Sequence, residues 1–170
     1  MNKIKQLITS STFLITLLLA LGSAQASTEN HQLQISTDLG MISGSEGLGT
    51  SFDFAIEPEF FVMDKLSLSF RFDVTAGDLD SIYLGGRVRY YFDIPNHEKW
   101  NVYVGVGGGV VMSTNSGGNN FGDIAIPVVG IQYDLTDHIK LGSDFSFDIL
   151  LGDNTAIAAR IMPIQFRWAF

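Results

Sequence analysis

The 170-residue sequence contains no cysteine, which excludes disulfide bonds, thiolate metal sites and a lipid-modified N-terminal cysteine. Basic residues are also scarce, with 10 Lys and Arg against 18 Asp and Glu, so the positive footprint of a nucleic-acid-binding protein is missing. Beyond the N-terminal region no stretch is apolar enough to form a membrane-spanning helix. Because 46% of the residues are nonetheless hydrophobic, the chain needs another way to hide its apolar surface.

The N-terminus has the features of a secretory signal peptide. Two lysines precede a short apolar run over residues 13–21, and the small residues Ala24 and Ala26 then occupy the two cleavage positions. A retained transmembrane helix is the alternative, but the run is too short to span a bilayer comfortably. We therefore predict a signal peptide over residues 1–26 and a single domain over residues 27–170.

In the remaining chain, large apolar residues recur at every second position. A period of two places one kind of side chain on each face of a β-strand. The clearest apolar positions are Phe52, Phe54 and Ile56; Phe70, Phe72 and Val74; Val102, Val104 and Val106; and Phe145, Phe147 and Ile149. With weaker strands at about 33–42 and 124–135 and a C-terminal one, the pattern predicts eight strands of about ten residues, an even number and a length that suits a tilted membrane strand.

Two folds are compatible with this alternation. A soluble sandwich or lipocalin-like barrel would turn the apolar face inward, but an eight-stranded barrel has room only for its own side chains. The apolar face is rich in aromatic residues, whereas the other face carries Gly, Ser, Tyr and paired charges. We therefore predict an all-β fold, an eight-stranded antiparallel up-and-down transmembrane β-barrel, which closes without a free edge.

The connections and the aromatic residues predict which end of the barrel is which. Turns at residues 63–65, 93–99 and 136–138 are short, while the Gly-, Ser-, Asn- and Asp-rich segments 43–51, 77–81, 113–122 and 152–156 are longer. Seven aromatic residues lie near the short turns, as in a membrane-interface belt: Phe60, Tyr90, Phe92, Trp100, Tyr133, Trp168 and Phe170.

Hairpin geometry predicts a charged network inside the barrel. Centring the second turn on Asp64 places Glu57 opposite Arg71 and Ala55 opposite Asp73. The predicted network comprises Glu57, Glu59, Arg71 and Arg87, with Arg89 and Asp144 as further members. Paired charges compensate one another's desolvation in a dry interior.

The same arithmetic gives the next registers. It places Arg71 beside Arg87, Arg87 opposite Gly105 and Arg89 opposite Tyr103, and the glycines Gly105, Gly107 and Gly109 leave room for the long side chains.

Three prolines fall inside predicted strands, where each removes a ladder hydrogen bond. We predict bulges at Pro58, Pro127 and Pro163. The apolar parity also changes within the sixth strand, which predicts an irregularity near residues 128–130.

Residues 33–170 resemble the small eight-stranded outer-membrane proteins of Gram-negative bacteria, the OmpA/OmpX-like β-barrel group. The resemblance rests on the strand rhythm, the charged interior and the terminal Phe170. It implies location in the bacterial cell outer membrane, short turns in the periplasm, and contacts with outer-membrane lipids and lipopolysaccharide. It also implies that Phe166, Trp168 and Phe170 form the signal that the barrel assembly machinery reads, and that the barrel is a monomer.

Catalysis is not expected from this sequence. His31, His97 and His138 lie in the N-terminal tail and the short turns, so Ser113 and Ser116 at the opposite end have no base within reach. No phosphate-binding, dinucleotide or metal motif is present, and we expect no cofactor.

The acidic residues of the longer loops have two interpretations. They could hold a divalent cation through oxygen ligands, or they could simply keep the loops soluble. They are Glu46, Asp78, Asp80, Asp123 and Asp153.

The function predicted from the sequence is a structural outer-membrane barrel that contributes to envelope integrity or surface interaction. The alternative is a narrow channel or transporter for small or hydrophobic solutes, similar to the OmpW type. A continuous lumen past Arg71 and Arg87 would favour the transporter.

Overall fold

A computed structural model describes residues 33–45, 49–114, 120–152 and 155–170. Several features predicted from the sequence lie outside these residues. They are the signal peptide at 1–26, His31, Glu46, Ser116 and Asp153.

The described chain forms eight antiparallel strands in one closed barrel, in which each strand pairs with its sequence neighbour and the last pairs with the first. The strands are β1 (Leu33–Gly44), β2 (Gly49–Met63), β3 (Leu66–Gly77), β4 (Ser81–Ile94), β5 (His97–Ser113), β6 (Asn120–Asp134), β7 (Ile139–Leu151) and β8 (Thr155–Ala169). The predicted fold is confirmed. The strands are 12 to 17 residues long, however, and so exceed the predicted ten.

The apolar face of the sheet points outward. Phe70 and Phe166 are 38% and 43% exposed, whereas Glu57 and Arg87 on the opposite face are 1% and 3% exposed. This arrangement leaves a continuous band of large exposed apolar side chains, which in water would be a liability. Among the described residues, none forms a helix long and apolar enough to cross a bilayer.

Aromatic residues gather on the outer surface near the short turns. The rings of Tyr90 and Phe92 lie 4.9 Å apart, and those of Trp100 and Tyr133 lie 4.8 Å apart on paired strands. Trp168 stands beside Ile139 at the same end of the barrel. The structure thus has the aromatic belt that the sequence predicted near the short turns, although Phe52 is also exposed near the longer loops.

Two of the three predicted bulges are present. The register of β6 shifts between Ala125 and Val128, so Ile126 and Pro127 both face outward. The bulge predicted at Pro127 is therefore present, and the parity change expected near residues 128–130 lies just before them. A second shift in β8 lies at Pro163, between Met162 and Gln165. The predicted bulge at Pro58 is wrong, because β2 keeps a constant register with both of its neighbours there.

The register predicted for the second hairpin is correct, since Ala55 pairs with Asp73. The next two predicted registers are wrong by two residues. Arg71 pairs with Gly85 rather than lying beside Arg87, because β3 continues to Gly77 and the turn centres one residue earlier than assumed.

In the β4–β5 hairpin Arg89 pairs with Gly105 instead of Tyr103, and Arg87 pairs with Gly107. The turn is a tight one at Pro95 and Asn96, where Asn96 has a φ of 64°. A register shift follows directly after it. A shift of two residues keeps every side chain on its original face, so the predicted sidedness survives the error.

Candidate functional site: the charged barrel interior

The six charged residues predicted for the interior all lie on inward-facing positions, and none is more than 3% exposed. They come from four strands: Glu57 and Glu59 from β2, Arg71 from β3, Arg87 and Arg89 from β4, and Asp144 from β7. Strict alternation along each strand is what aims them at the barrel axis. The structure brings all six together.

Five of these residues join Arg167 of β8 in a group near the short turns, which we call the short-turn cluster. It consists of Glu57, Glu59, Arg87, Arg89, Asp144 and Arg167. Arg89 lies 2.7 Å from Glu57 and 3.3 Å from Glu59, and Arg87 lies 3.0 Å from Asp144. Arg167 lies 2.8 Å from Glu59. Three guanidinium groups therefore face three carboxylates.

Two tyrosines complete the short-turn cluster. Arg167 donates hydrogen bonds to the hydroxyls of Tyr91 and Tyr103 at 2.7 and 3.0 Å, and Tyr91 in turn donates to Glu59 at 2.8 Å. The Tyr103 ring also lies beneath the guanidinium of Arg89, 5.2 Å from it. The cluster is thus bonded on several sides as well as charge-balanced.

Glycines make the space for these long side chains. A Cβ atom at Gly107 would lie 2.8 Å from Cγ of Arg87, and one at Gly109 would lie 2.7 Å from the ring of Tyr83. At Gly130 it would lie 2.1 Å from the Tyr103 ring. These glycines are needed for side-chain volume rather than for an unusual backbone conformation.

A second group of charges, the long-loop cluster, lies toward the longer connections. It consists of Asp38, Asp53, Arg71, Asp73, Asp123, Asp148 and Arg160. Arg71 contacts Asp38 at 2.8 Å and Asp73 at 3.0 Å, and it reaches Glu57 of the short-turn cluster at 3.2 Å.

Arg160 is the second cation of the long-loop cluster. It lies 2.7 Å from Asp148 and 3.3 Å from Asp53, and it also pairs with Asp73. Asp123 lies one diagonal position from Asp148 on the neighbouring strand and is not among the ion pairs of the described residues. Its predicted place in an exposed loop is wrong, because β6 begins at Asn120 and turns this carboxyl group inward, where it is 4% exposed.

Apolar and aromatic side chains pack against the charged interior. Near the longer loops, Tyr83, Val111, Leu150 and Ala156 pack together with Phe121 against them. Toward the short turns, Tyr91 and Tyr103 pack with Phe61, Ala125 and Val128, and the Phe61 and Tyr91 rings lie 5.2 Å apart. The ion pairs therefore lie beneath an apolar group at the long-loop end and among aromatic side chains toward the short turns.

Sequence reasoning missed about half of the interior charges. Arg160 and Arg167 and the aspartates at positions 38, 53, 73, 123 and 148 were not predicted as members. For the aspartates and Arg167 the signal was available, because each alternates with the apolar positions of its strand. In β8 the bulge at Pro163 reverses the parity between Arg160 and Arg167, and this concealed that Arg160 points inward.

The structure separates the residues that a hydrolytic site would need. His97 begins β5 and Ser113 ends it, so a fully extended strand of about 50 Å lies between them. His138 lies at the short-turn end, where its Nδ1 is 3.2 Å from the carbonyl oxygen of Ala169. Within the described ranges no three His, Asp or Glu residues are arranged to hold a metal ion.

The C-terminal segment presents its aromatic residues to the outside. Phe166 and Trp168 face outward from β8, and Phe170 is exposed beyond its end. The backbone N–H of Phe170 donates to the carbonyl of Leu33 at 2.9 Å, so the last residue still belongs to the seam between β8 and β1.

Comparisons with known proteins agree on the fold. The chain is similar to Neisserial surface protein A, with a TM-score of 0.59 and 17% identity over 82% of this chain and 97% of that one. It is also similar to the N-terminal β-barrel domain of OprF from Pseudomonas aeruginosa, with a TM-score of 0.55 and 12% identity over 83% of this chain and all of that one. No protein-family model and no curated protein matches the sequence. The chain thus has the fold of the small eight-stranded outer-membrane β-barrels.

Proposed function

We propose that this chain is a structural protein of the bacterial outer membrane, a monomeric barrel that is closed by its own ion-paired interior and contributes to envelope integrity or surface interaction. The closed interior is the observation that carries the proposal. Arg71 and Tyr103, whose side chains reach residues of non-adjacent strands, are both 0% exposed. An apolar group closes the long-loop end, and aromatic side chains pack among the charges toward the short turns.

A closed interior argues against the transporter alternative. Solute passage requires a continuous path, and such a path would leave the arginines that cross the barrel in contact with water. Breaking the ion pairs to open one would leave charges unpaired at a cost of about 3–5 kcal/mol each.

The proposal is tested by solute flux. The barrel is refolded from urea into liposomes, and osmotic swelling is measured with a panel of sugars and amino acids beside single-channel conductance in planar bilayers. We expect swelling no faster than in protein-free liposomes and no discrete conductance steps. Swelling that depends on solute size, with matching conductance steps, would establish the transporter instead.

Location in the outer membrane is supported by the exposed apolar band and the aromatic belt near the short turns. We propose that the band contacts lipid and lipopolysaccharide and that the longer loops face the cell exterior. Fractionation of cells should recover the chain in the outer membrane. Protease added to intact cells should cut in segments 43–51 or 113–122 and spare the short turns, and the reverse cleavage pattern would disprove the orientation.

The C-terminal aromatic residues suggest how the barrel reaches its membrane. We propose that Phe166, Trp168 and Phe170, all on the outer surface, are recognised by the barrel assembly machinery. Deleting Phe170 should lower the amount in the outer membrane of cells and leave refolding into liposomes unchanged. Equal losses in both assays would assign Phe170 to barrel stability alone.

A further inference from the structure

The two charge clusters inside the barrel differ in their balance. In the short-turn cluster Arg87, Arg89 and Arg167 face Glu57, Glu59 and Asp144, three against three. In the long-loop cluster Arg71 and Arg160 face five aspartates, at positions 38, 53, 73, 123 and 148. If every carboxyl group were ionised, the second cluster would hold three uncompensated negative charges away from water.

Hydrogen bonding shows the same difference. Among the described residues, the buried carboxylate oxygens that lack a hydrogen-bond donor include Oδ1 of Asp38, both oxygens of Asp53, Oδ1 of Asp73 and Oδ1 of Asp123 in the long-loop cluster. The short-turn cluster has only Oδ1 of Asp144 in this state. The long-loop cluster thus holds most of the buried carboxylate oxygens that accept no hydrogen bond, although Nη2 of Arg71 within it also lacks a partner.

Asp123 is the most isolated of these groups. It is 4% exposed, and the ion pairs of the described residues do not include it. The charged side chains around it are Asp148 on β7, Asp73 on β3, Arg160 on β8 and Arg87 on β4. Two further charges, Asp53 and Arg71, belong to the same cluster, the Tyr83 hydroxyl of β4 lies nearby, and β5 presents only Gly109 beside it.

Something must supply the missing positive charge, since each unpaired buried charge costs several kcal/mol. A metal ion fits poorly, because no three acidic or histidine side chains of the described residues are arranged to hold one. A proton satisfies both deficits at once. It removes one negative charge, and the resulting carboxyl O–H is a donor for a neighbouring carboxylate oxygen.

We propose that the long-loop cluster retains protons at neutral pH, so that the folded barrel binds more protons than the unfolded chain. Asp123 and Asp53 are the groups that hold them. The sign follows from linkage: where the folded state binds more protons, the free energy of unfolding rises as the pH falls. The barrel is thereby stabilised in mildly acidic surroundings. The proposal rests on the burial of these aspartates and not on the role proposed for the barrel in the envelope.

The test is urea unfolding of the refolded barrel in vesicles of a zwitterionic lipid, from about pH 5 to about pH 8, a range that spans neutrality. Both tryptophans, Trp100 and Trp168, lie on the outer surface, so their fluorescence reports withdrawal from lipid. As the pH increases, we expect the unfolding equilibrium constant to rise about tenfold per pH unit for each excess proton that the folded state holds. A constant that does not change with pH would overturn the proposal.

Two variants identify which residues cause the pH dependence of the unfolding equilibrium constant, which we call the slope. Asp123→Asn supplies donors without a charge, so it should flatten the pH dependence and make unfolding less favourable at the alkaline end. Glu59→Gln, the matched change in the balanced cluster, should weaken the barrel at every pH and keep the slope. An unchanged slope in both Asp123→Asn and Asp53→Asn would overturn the assignment.

Further controls separate protons from other causes. Replacing His97 and His138 of the short turns with Gln should leave the slope intact, and so should exchanging sodium for potassium or calcium. A stability that follows the identity of the cation rather than pH would overturn the proposal in favour of a bound ion. Direct proton uptake on refolding, measured with an indicator dye in weak buffer, needs no variant and should be absent if the proposal is wrong.

Discussion

Both ends of the barrel interior bury charged side chains, but the two ends compensate these charges in different ways. Near the short turns the charges are matched one to one and tied to tyrosine hydroxyls. Near the longer loops two arginines are shared among five aspartates. A buried charge that faces a partner of opposite sign is largely compensated, whereas surplus buried charge of one sign stores unfavourable energy. We infer that the short-turn cluster makes the barrel rigid and the long-loop cluster makes it responsive to conditions.

Arg71 is the residue whose loss should do most damage, because it joins the two clusters. It contacts Asp38 and Asp73 on one side and Glu57 on the other. Arg71→Leu would leave those carboxylates facing one another in an apolar interior. We expect a loss of at least about 3–5 kcal/mol in the free energy of unfolding, enough to prevent refolding into liposomes.

Arg71→Lys is the matched control for that change. Lysine keeps the charge but cannot form the planar fork that serves several carboxylates at once. The variant should refold with a stability between those of the wild type and Arg71→Leu. If Arg71→Leu refolds with wild-type stability, the contacts that Arg71 makes with the two clusters do not contribute to the free energy of unfolding.

The next prediction compares the loss of one carboxyl group from each cluster at neutral pH. Glu59→Gln removes the partner of Arg89 and Arg167 and should cost about 3 kcal/mol, since it leaves a buried guanidinium uncompensated. Asp123→Asn replaces a carboxyl group that holds a proton with a neutral amide of the same shape, and it should cost nothing or stabilise the barrel. Urea unfolding of both proteins in the same vesicles measures the contrast, and losses of equal size would remove the distinction between the clusters.

The sequence predicted the sidedness and the strand number because both depend only on parity. Phe70 and Arg71 cannot share a face, whatever the register. The residues that pair across neighbouring strands could not be predicted wherever a turn or a bulge shifted the register, as at Pro95 and Asn96. Arg160 was missed for the same reason, since the bulge at Pro163 shifts the parity between it and Arg167. What the sequence could not provide was the division of charge into two clusters, because this depends on which strands face each other across the barrel.

A smaller effect tests how tightly the short-turn cluster is packed. In Gly130→Ala the new methyl group would collide with the Tyr103 ring, which is bonded to Arg167. Overpacking of this kind costs about 1–3 kcal/mol. Gly122→Ala on the outer face meets nothing closer than 3.7 Å and serves as the control. Equal stability of the two variants in urea would mean that the interior yields to added volume.

The smallest effect should come from an ion pair outside the barrel. Lys65 in the β2–β3 turn lies 2.6 Å from Asp93, and this hydrogen bond raises the pKa of Lys65 above its ordinary value. Whatever the pair contributes is present at neutral pH and is lost only as the pH rises through that raised pKa. Because both side chains are open to solvent, water and salt screen the attraction, and Lys65→Ala should leave the unfolding midpoint unchanged. A shift comparable with that of Glu59→Gln would mean that distance alone, and not enclosure, sets the strength of ion pairs in this protein. The contrast between the two interior clusters would then lose its physical basis, since it rests on charges that water cannot reach.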